Sequence, residues 1–360
     1  MSARARKITE EKDLAMRILV TGAGGYIGSV LVPELLAAGH DVIALDRFFF
    51  GRQRLEKAVH RLNGGAKGAF TPVRADVRAV EPDHLAGVDA VIDMAALSND
   101  PAGELDPALT QTINFKARAR LAAMAKDAGV KRYLLMSSCS VYGDTGDAVA
   151  DETTPPKPLT TYARCNLLAE DAILPLAGDG FVPIAFRNAT LFGVSPRMRF
   201  DLAINLMTLH AVRDGRIIVM GGGRQWRPFV HVRDVAEAAL LALDAPADRV
   251  AGEVFNIAHS NVQIRALAYL VRENLPFMVE ITMAPDDPDR RNYRVDAGKA
   301  CKHFGFTAAR DPAHGVQEVY ESLKRGEIDE EPQAYTVRWY QALIEAERLV
   351  KEVALDGRIL

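Results

Sequence analysis

Short hydrophobic runs alternate with longer amphipathic stretches through the first half of the chain. The runs RILV, DVIAL, FTPV, DAVIDMA and RYLLMS are rich in β-branched residues, and stretches with helical periodicity separate them. Parallel strands need long crossover connections, and such crossovers are usually helices. The pattern therefore predicts an α/β fold, a doubly wound parallel sheet with helices on both faces. Ligands of such sheets bind at the carboxyl ends of the strands.

This rhythm continues through a helix from about Thr160 to Pro175 and the strand VPIAFR, and it changes after Gly193. Beyond that point the arginine-rich loops SPRMRF, GGGRQWRPF and DDPDRRNYR are interleaved with helices and with isolated strands such as RIIVM and EVFNI. We predict a polar tail over 1–15, a Rossmann domain over 16–193 and a smaller mixed α/β substrate lobe over 194–360. Some crossing of the chain between the two lobes is expected.

Composition narrows the classes of partner. The net charge is −3 and the pI is near 6.3, so no excess of positive charge is present for a nucleic acid. The three cysteines, Cys139, Cys165 and Cys301, show no CxxC spacing, so we predict no disulfide framework and no metal site. This use of cysteine favours a cytoplasmic location. No run reaches the about 18 apolar residues of a membrane span, and the first sixteen residues lack a secretory apolar stretch.

The segment TGAGGYIG lies between the strand RILV and the helical SVLVPELLAAGH. In this GxxGxxG pattern, Gly22 suits a tight turn, Gly25 allows a pyrophosphate to approach the backbone, and Gly28 allows the helix to pack closely on the strand. The positive end of the helix then faces the phosphates. A glycine-rich turn alone is weak evidence, so its meaning depends on the acidic residue that follows.

Asp46 ends the second strand, eighteen positions after Gly28. An acidic side chain here accepts hydrogen bonds from both ribose hydroxyls of NAD and repels a 2′-phosphate. The pattern predicts NAD in preference to NADP, and Arg47 is the neighbour that would soften this preference.

Seven segments in chain order resemble those of the extended short-chain dehydrogenase/reductases of the nucleotide-sugar epimerase and dehydratase kind. They span residues 17–299 and are TGAGGYIG, Asp76 with Val77, DMAA, Asn114 in TINFKA, SSCSVYG, YARCN and PFVHVRD. Two departures are Asp93, in place of the histidine that usually leads the DMAA segment, and Pro228, in place of an acidic residue. The resemblance implies an enzyme that uses bound NAD on a nucleoside diphosphate sugar.

The resemblance also implies a set of residues around NAD. Asp76 and Val77 would contact adenine, and Asn114 would brace the helix beside the active site. The cofactor-binding residues are predicted to be Gly22, Gly25, Tyr26, Ile27, Gly28, Asp46, Arg47, Asp76, Val77, Met94, Ala95, Ala96, Asn114, Tyr162, Asn166 and Ala189.

By the same resemblance, Tyr162 is the general base or acid and Ser138 is the hydroxyl that bonds the substrate oxygen. A phenolate beside a cationic nicotinamide can remove a hydroxyl proton while a hydride leaves the sugar carbon. Cys139 and Ser140 occupy the places where the 4,6-dehydratases carry Asp and Glu. A neutral pair lacks the carboxylate that water elimination needs, so an epimerase is favoured, and Cys139 is a further catalytic candidate.

Arg227 and either Arg290 or Arg291 fall where the family grips the substrate diphosphate, and guanidinium groups suit such oxygens. Solvated surface arginines are the alternative. The predicted substrate-binding residues are Ser98, Ser138, Asn188, Thr190, Arg199, Arg227, Arg290 and Arg291. Family analogy also predicts a homodimer through a four-helix bundle of the helices at about 113–128 and 160–175.

Other functions remain open at this point. The chain could be a dehydratase, a dehydrogenase with net turnover, or a non-catalytic module that binds NAD.

Asn166 lies four residues after Tyr162, where the family motif YxxxK has lysine, and the two positions share a helix face. The lysine would hold the nicotinamide ribose and lower the tyrosine pKa; at about 4 Å and an effective dielectric near 20, its charge is worth about 4 kcal/mol, or about three pKa units. Asparagine supplies only hydrogen bonds. We expect slow turnover that rises with pH toward about 10, and a gain of at least about tenfold at pH 7 on Asn166→Lys.

Three explanations of Asn166 are open: a substitution made to trap substrate, a natural enzyme that tolerates slow or alkaline chemistry, and a member that has given up hydride transfer.

Overall fold

A computed structural model describes residues 15–62, 64–285, 289, 291–355 and 358. Except for Ala15, the predicted polar tail lies outside the described residues, and so does Arg290.

The strands of the described chain alternate with helices as the sequence predicts. The strands are β1 (Arg17–Thr21), β2 (Asp41–Asp46), β3 (Phe70–Arg74), β4 (Ala90–Asp93), β5 (Arg132–Ser138), β6 (Asp144–Ala150), β7 (Val182–Asn188), β8 (Thr190–Phe192), β9 (Arg216–Val219), β10 (Trp226–His231), β11 (Glu253–Ile257), β12 (Ser260–Gln263), β13 (Glu280–Met283) and β14 (Asn292–Val295).

The α-helices are α1 (Gly28–Ala38), α2 (Arg52–His60), α3 (Asp100–Gly103), α4 (Pro107–Gln111), α5 (Arg118–Asp127), α6 (Thr161–Ile173), α7 (Ala203–Asp214), α8 (Val232–Asp244), α9 (Ala247–Val250), α10 (Ile264–Glu273), α11 (Gly298–Phe304), α12 (Pro312–Lys324) and α13 (Thr336–Val353). A π-helical segment, Thr112–Ala117, leads directly into α5.

Seven parallel strands form the main sheet, in the order β11, β7, β5, β4, β1, β2, β3. Helices cover both faces, so strands β4 and β7 are buried along their whole lengths. Ile18 and Val20 face one apolar core and Leu19 faces the other, since side chains alternate along a strand. The predicted doubly wound α/β fold is confirmed.

The smaller lobe is built around β10, which pairs with β8 in parallel and with β12 in antiparallel orientation. Its core includes Phe192, Ile204, Phe229 and Leu267, which are fully buried. After Gly193 the chain returns to the main sheet through α8, which packs on α1, and through β11 at the sheet edge. The chain therefore crosses between the lobes.

No helix in the described part of the chain is both long enough and apolar enough to cross a membrane.

Candidate active site

A cavity of about 450 Å³ lies at the carboxyl ends of the main-sheet strands, and we call it the cleft. Most of the residues that the sequence predicts for cofactor and substrate line it together. They are Gly22, Gly25, Tyr26, Ile27, Gly28, Asp46, Arg47, Asp76, Val77, Met94, Ala95, Ala96, Ser98, Ser138, Tyr162, Asn188, Ala189, Thr190, Arg199 and Arg291.

The glycine-rich turn has a geometry that larger residues cannot adopt. Gly22 has a φ of 69°, and a Cβ there would lie 2.9 Å from the backbone nitrogen of Ala95. A Cβ at Gly28 would lie 2.5 Å from the carbonyl oxygen of Ala23. These contacts explain the first glycine by a tight turn and the third by the close approach of the start of α1 to the backbone of that turn.

Asp46 is fixed at the end of β2 by the loop that it faces. Its Oδ2 accepts a hydrogen bond from the Gly24 amide at 3.0 Å, and its Oδ1 accepts one from the Phe48 amide at 2.5 Å. Burial raises the pKa of this carboxyl, although both hydrogen bonds oppose that shift. Arg47 is directed away from Asp46, toward Asp76 at 3.1 Å and over the Phe49 ring.

Calorimetry should show that the protein binds NAD at least about tenfold more tightly than NADP, a difference of about 1.4 kcal/mol, because Asp46 repels a 2′-phosphate. Asp46→Asn should narrow this gap, and Asp41→Asn, at the exposed start of the same strand, should leave it unchanged. Comparable affinity of the unmodified protein for the two cofactors would contradict the role of Asp46.

Asp76 and Val77 form the wall predicted to contact adenine. Asp76 caps a short 3₁₀ helix and accepts hydrogen bonds from the amide and the guanidinium of Arg78. Mainly these bonds lower the pKa of Asp76 to about 2. The carboxylate is therefore ionised across the neutral range, and Val77 supplies a buried apolar surface beside it.

The loop after β4 is held by two buried side chains. Thr21 Oγ1 accepts hydrogen bonds from the amides of Met94 and Ala95, both at 3.1 Å. Asn114 accepts from the Leu97 amide at 2.8 Å and donates to the Leu97 carbonyl at 3.1 Å. Asn114 therefore braces the cleft from behind its wall.

Tyr162 and Ser138 both line the cleft, and the Ser138 hydroxyl favours the ionised form of the Tyr162 phenol. Burial raises the pKa of Tyr162, and the charge of Asp100 raises it further. Hydrogen bonds from Asn166 and Ser138 and the charge of Arg118 oppose this shift. The phenol is thus less acidic than a free tyrosine, as expected for a YxxxK motif without its lysine.

Two buried polar atoms of the cleft wall, Asn188 Oδ1 and Ser140 Oγ, have no hydrogen-bond partner among the described residues. Leaving such atoms unpaired costs free energy, which a bound ligand with hydrogen-bonding groups would recover. Together with the glycine turn and Asp46, they fit a polar dinucleotide and its substrate in this cleft.

The predicted substrate arginines that the structure describes are held in ion pairs. Arg199 contacts Asp201 at 2.9 Å and is 5% exposed. Arg291 pairs with Asp289 at 2.6 Å and with Asp100. Arg227 is also buried and pairs with Asp289 at 2.8 Å, and it donates to the carbonyls of Trp226 and Arg291. It is not part of the cleft wall.

Cys139 does not support the catalytic role proposed for it. It is fully buried outside the cleft wall, and its thiol contacts the Arg187 carbonyl oxygen at 3.0 Å. Burial raises the pKa of this thiol far above its usual range. Ser138, at the end of β5, and Ser140 line the cleft, whereas Cys139 begins a 3₁₀ helix and packs into an apolar cluster away from it.

Several residues of the wall were missed by the sequence reasoning. Helix α13 crosses the cleft beside Phe49 and Phe50 and contributes Tyr340, Leu343, Ile344 and Glu347. Arg197, in the segment SPRMRF, lies 3.6 Å from the Phe50 ring centroid and has a buried Nε without a partner among the described residues. Burial, with a smaller contribution from Arg199, lowers its pKa to about 9.

Three possible metal ligands lie together in the smaller lobe, although no metal site is predicted from the sequence. The ligand atoms of His231, at the end of β10, and of His314 and Glu318, one turn apart on α12, lie within 4.8 Å of one another. Glu318 already accepts from His231 at 2.9 Å and from the Val194 amide at 2.8 Å. The buried His231 therefore takes part in a hydrogen bond of the smaller lobe.

Residues 18–258 match the model of the NAD dependent epimerase/dehydratase family, which is well over half of the chain. The chain therefore belongs to this family, whose cofactor is NAD, and the resemblance inferred from the seven segments is confirmed.

Among its relatives, UDP-glucuronic acid decarboxylase 4 of Arabidopsis thaliana is 29% identical over 307 residues, covering 82% of this chain and 66% of the relative. UDP-glucuronic acid decarboxylase 1 of Danio rerio is 28% identical over 330 residues, covering 89% and 75%. The chain thus spans about two thirds to three quarters of the length of these relatives.

Among solved structures, MoeE5 in complex with UDP-glucuronic acid and NAD has a TM-score of 0.75 and 28% identity over 86% of this chain and 99% of its own. UDP-glucose 4-epimerase of Thermotoga maritima with UDP-glucose has a TM-score of 0.75 and 23% identity over 87% and 100%. The second likeness concerns the fold alone.

Proposed function

We propose that this chain is an epimerase that acts on a nucleoside diphosphate sugar by transient hydride transfer to tightly bound NAD. The observation that carries the proposal is that Tyr162 and Ser138 line the same cleft as the glycine turn and Asp46. A redox step needs a proton-transfer group and a cofactor site side by side, and this cleft provides both.

Four residues of the cleft have a chemical task in the proposed reaction. Bound NAD would supply the hydride acceptor. Tyr162 Oη removes the proton of the reacting sugar hydroxyl and later gives it back, and Ser138 Oγ holds the same oxygen. Asn188 and Ser140 offer their unpaired atoms to the bound molecules.

The diphosphate of the substrate is proposed to bind at Arg291 and Arg199, with Ser98 and Thr190 nearby in the same wall. Both arginines now contact carboxylates, so phosphate oxygens would exchange with aspartate oxygens as their partners. A guanidinium binds either oxyanion through the same forked geometry. Arg227 supports Arg291 from behind.

Decarboxylation of a uronic acid is a second candidate, favoured by the names of the relatives and by the UDP-glucuronic acid in the MoeE5 structure. Dehydration has less support. The positions after Ser138 hold Cys139, which is buried away from the cleft, and Ser140, which is neutral.

The substrate can be identified by incubating the purified protein, with its bound NAD, with UDP-glucose, dTDP-glucose and UDP-glucuronic acid. We expect an isomeric nucleotide sugar from one of these and no free NADH. Release of carbon dioxide from UDP-glucuronic acid would establish the second candidate instead. Stoichiometric free NADH would indicate a dehydrogenase, and binding without any change in NAD would indicate a non-catalytic module.

A homodimer is proposed through α5 and α6, which pack side by side. Leu168 on α6 is 41% exposed, as expected for an apolar side chain that a partner copy covers. Leu168→Glu should convert the dimer to monomer in sedimentation velocity, and Leu241→Glu, at an equally exposed leucine of α8, should not. A monomeric unmodified chain would contradict this interface.

The three free thiols support a reducing, cytoplasmic location.

A further inference from the structure

Arg118, at the start of α5, is a fully buried cation close to the catalytic tyrosine. Burial of an unpaired charge is very costly, so the partners of this guanidinium define its role. Its Nε donates to Asp93 Oδ2 at 3.0 Å, and its Nη2 donates to the carbonyls of Asp93 at 3.0 Å and Met136 at 2.8 Å. Its Nη1 donates to Asn166 Oδ1 at 3.0 Å.

Two departures from the family pattern therefore meet at one arginine. Asp93 replaces the usual histidine and Asn166 replaces the lysine of YxxxK, and Arg118 bonds both side chains. Asp93 is held further by the hydroxyls of Thr21 and Tyr133, each at 2.8 Å. The carboxylate lies on the Nε side of the guanidinium, whereas the Nη1 side faces the helix that carries Tyr162.

The bond from Arg118 also fixes the direction of the Asn166 amide. Arginine has only donors, so the amide oxygen must face it and the amide nitrogen must face the opposite way. Accordingly, Asn166 Nδ2 donates to the Tyr162 carbonyl at 3.2 Å, and the Asn166 side chain also acts to lower the pKa of the Tyr162 phenol. Asn166 is 1% exposed and lies behind Tyr162, outside the cleft wall.

We propose that Arg118 and Asn166 together replace the lysine of YxxxK, with Arg118 supplying the positive charge and Asn166 the hydrogen-bond donor to Tyr162. This inference rests on the proposed function of Tyr162 in proton transfer. Arg118 acts through Asn166 and is a positioning residue. Its buried charge also acts directly on the phenol, since it opposes the upward shift that burial causes in the Tyr162 pKa.

Other charged groups face Tyr162 from neighbouring elements, and they define the background of any titration. Asp100 of α3 acts against ionisation of Tyr162, although it is itself paired with Arg291. Arg199, from the segment before α7, is also coupled to Tyr162 and is paired with Asp201. Arg118 is the group whose bond to Asn166 reaches the position of the missing lysine.

This arrangement changes the expected effect of Asn166→Lys. A gain of at least tenfold at pH 7 presumes that no other cation lies behind Tyr162. The N166K protein would lack the amide oxygen to which Arg118 donates. The new ammonium group would also lie close to the guanidinium of Arg118. Like charges repel in a buried site, so N166K alone should change the rate at pH 7 by less than about threefold.

The test moves the charge from one side chain to the other. In D93N/R118M the buried ion pair is removed as a unit, so no unpaired carboxylate remains. The rate at pH 7 should fall at least about tenfold and its pH profile should shift at least about one unit upward. Adding N166K to this variant should restore both quantities to within about threefold and half a unit. Thermal unfolding and NAD content verify that each protein is folded.

A direct titration of Tyr162 tests the role of Arg118 without relying on the proposed reaction. The ultraviolet difference between each protein and its Tyr162→Phe counterpart follows ionisation of this phenol and needs no substrate. We expect a higher titration midpoint in D93N/R118M and its return on addition of N166K. An unchanged midpoint overturns the role of Arg118 even if no sugar reacts. If D93N/R118M does not fold, a tenfold gain from N166K alone overturns the role as well.

Discussion

Tyr162→Phe is expected to retain NAD and to lose at least about a thousandfold in the rate at which a nucleotide sugar reduces it. In the proposed reaction the phenol oxygen accepts the sugar proton, whereas the Cβ and backbone of Tyr162, which lie against Gly103 of α3, are the same in this variant. Stopped-flow absorbance of NADH measures the rate, and release of nucleotide on denaturation measures the NAD content. Tyr269→Phe, at a half-exposed tyrosine of α10, is the matched control and should be unchanged.

The pH dependence of the unmodified protein checks the same residue. Burial raises the pKa of Tyr162, so the phenol is protonated at neutral pH and the reactive phenolate increases as pH rises toward that pKa. The rate of NAD reduction should therefore climb from pH 7 through pH 9. A flat profile, or a Tyr162→Phe protein that reacts at the unmodified rate, would contradict the assignment of Tyr162 as the base.

Gly28→Val should yield a protein without bound NAD. Even the Cβ of an added side chain would lie 2.5 Å from the Ala23 carbonyl oxygen, a backbone atom that cannot move without distorting the glycine turn. The NAD content of the purified protein should fall at least about a hundredfold, because the phosphate contacts depend on the shape of this turn. Ala38→Val adds bulk at the exposed end of the same helix and serves as the control.

Normal NAD content in the Gly28→Val protein would show that the dinucleotide does not lie on this turn. Loss of NAD from the Ala38→Val protein as well would point to a general effect on α1. Circular dichroism of both proteins separates loss of cofactor from loss of fold.

The fold and the position of the glycine turn and Asp46 in one cleft could be predicted because their signals are local. Each strand, each helix and the turn from Gly22 to Gly28 can be recognised from a short continuous stretch of sequence. Asp46 follows at the end of the next strand, and neighbouring parallel strands bring their carboxyl ends to the same edge. The structure that such a segment forms depends mainly on the residues within the segment.

The rest depended on contacts between distant segments. Arg118 and Asn166 are 48 positions apart, and nothing in the pattern around either residue indicates their hydrogen bond. Helix α13 likewise has an ordinary amphipathic sequence, yet Trp339 donates to the Phe49 carbonyl and Tyr340 packs on two phenylalanines of the cleft. Contacts between such distant segments depend on tertiary packing, and the sequence around either partner does not indicate them.

The central claim is transient hydride transfer within one cleft, and isotope retention tests it most directly. The substrate found in the panel is prepared with deuterium on every carbon of its sugar and is converted in ordinary water by the protein with its bound NAD. The account predicts an epimer that keeps all of its deuterium, with no NADH in the filtrate. Replacement of deuterium by solvent hydrogen, or NADH in the filtrate equal to the product formed, would contradict it.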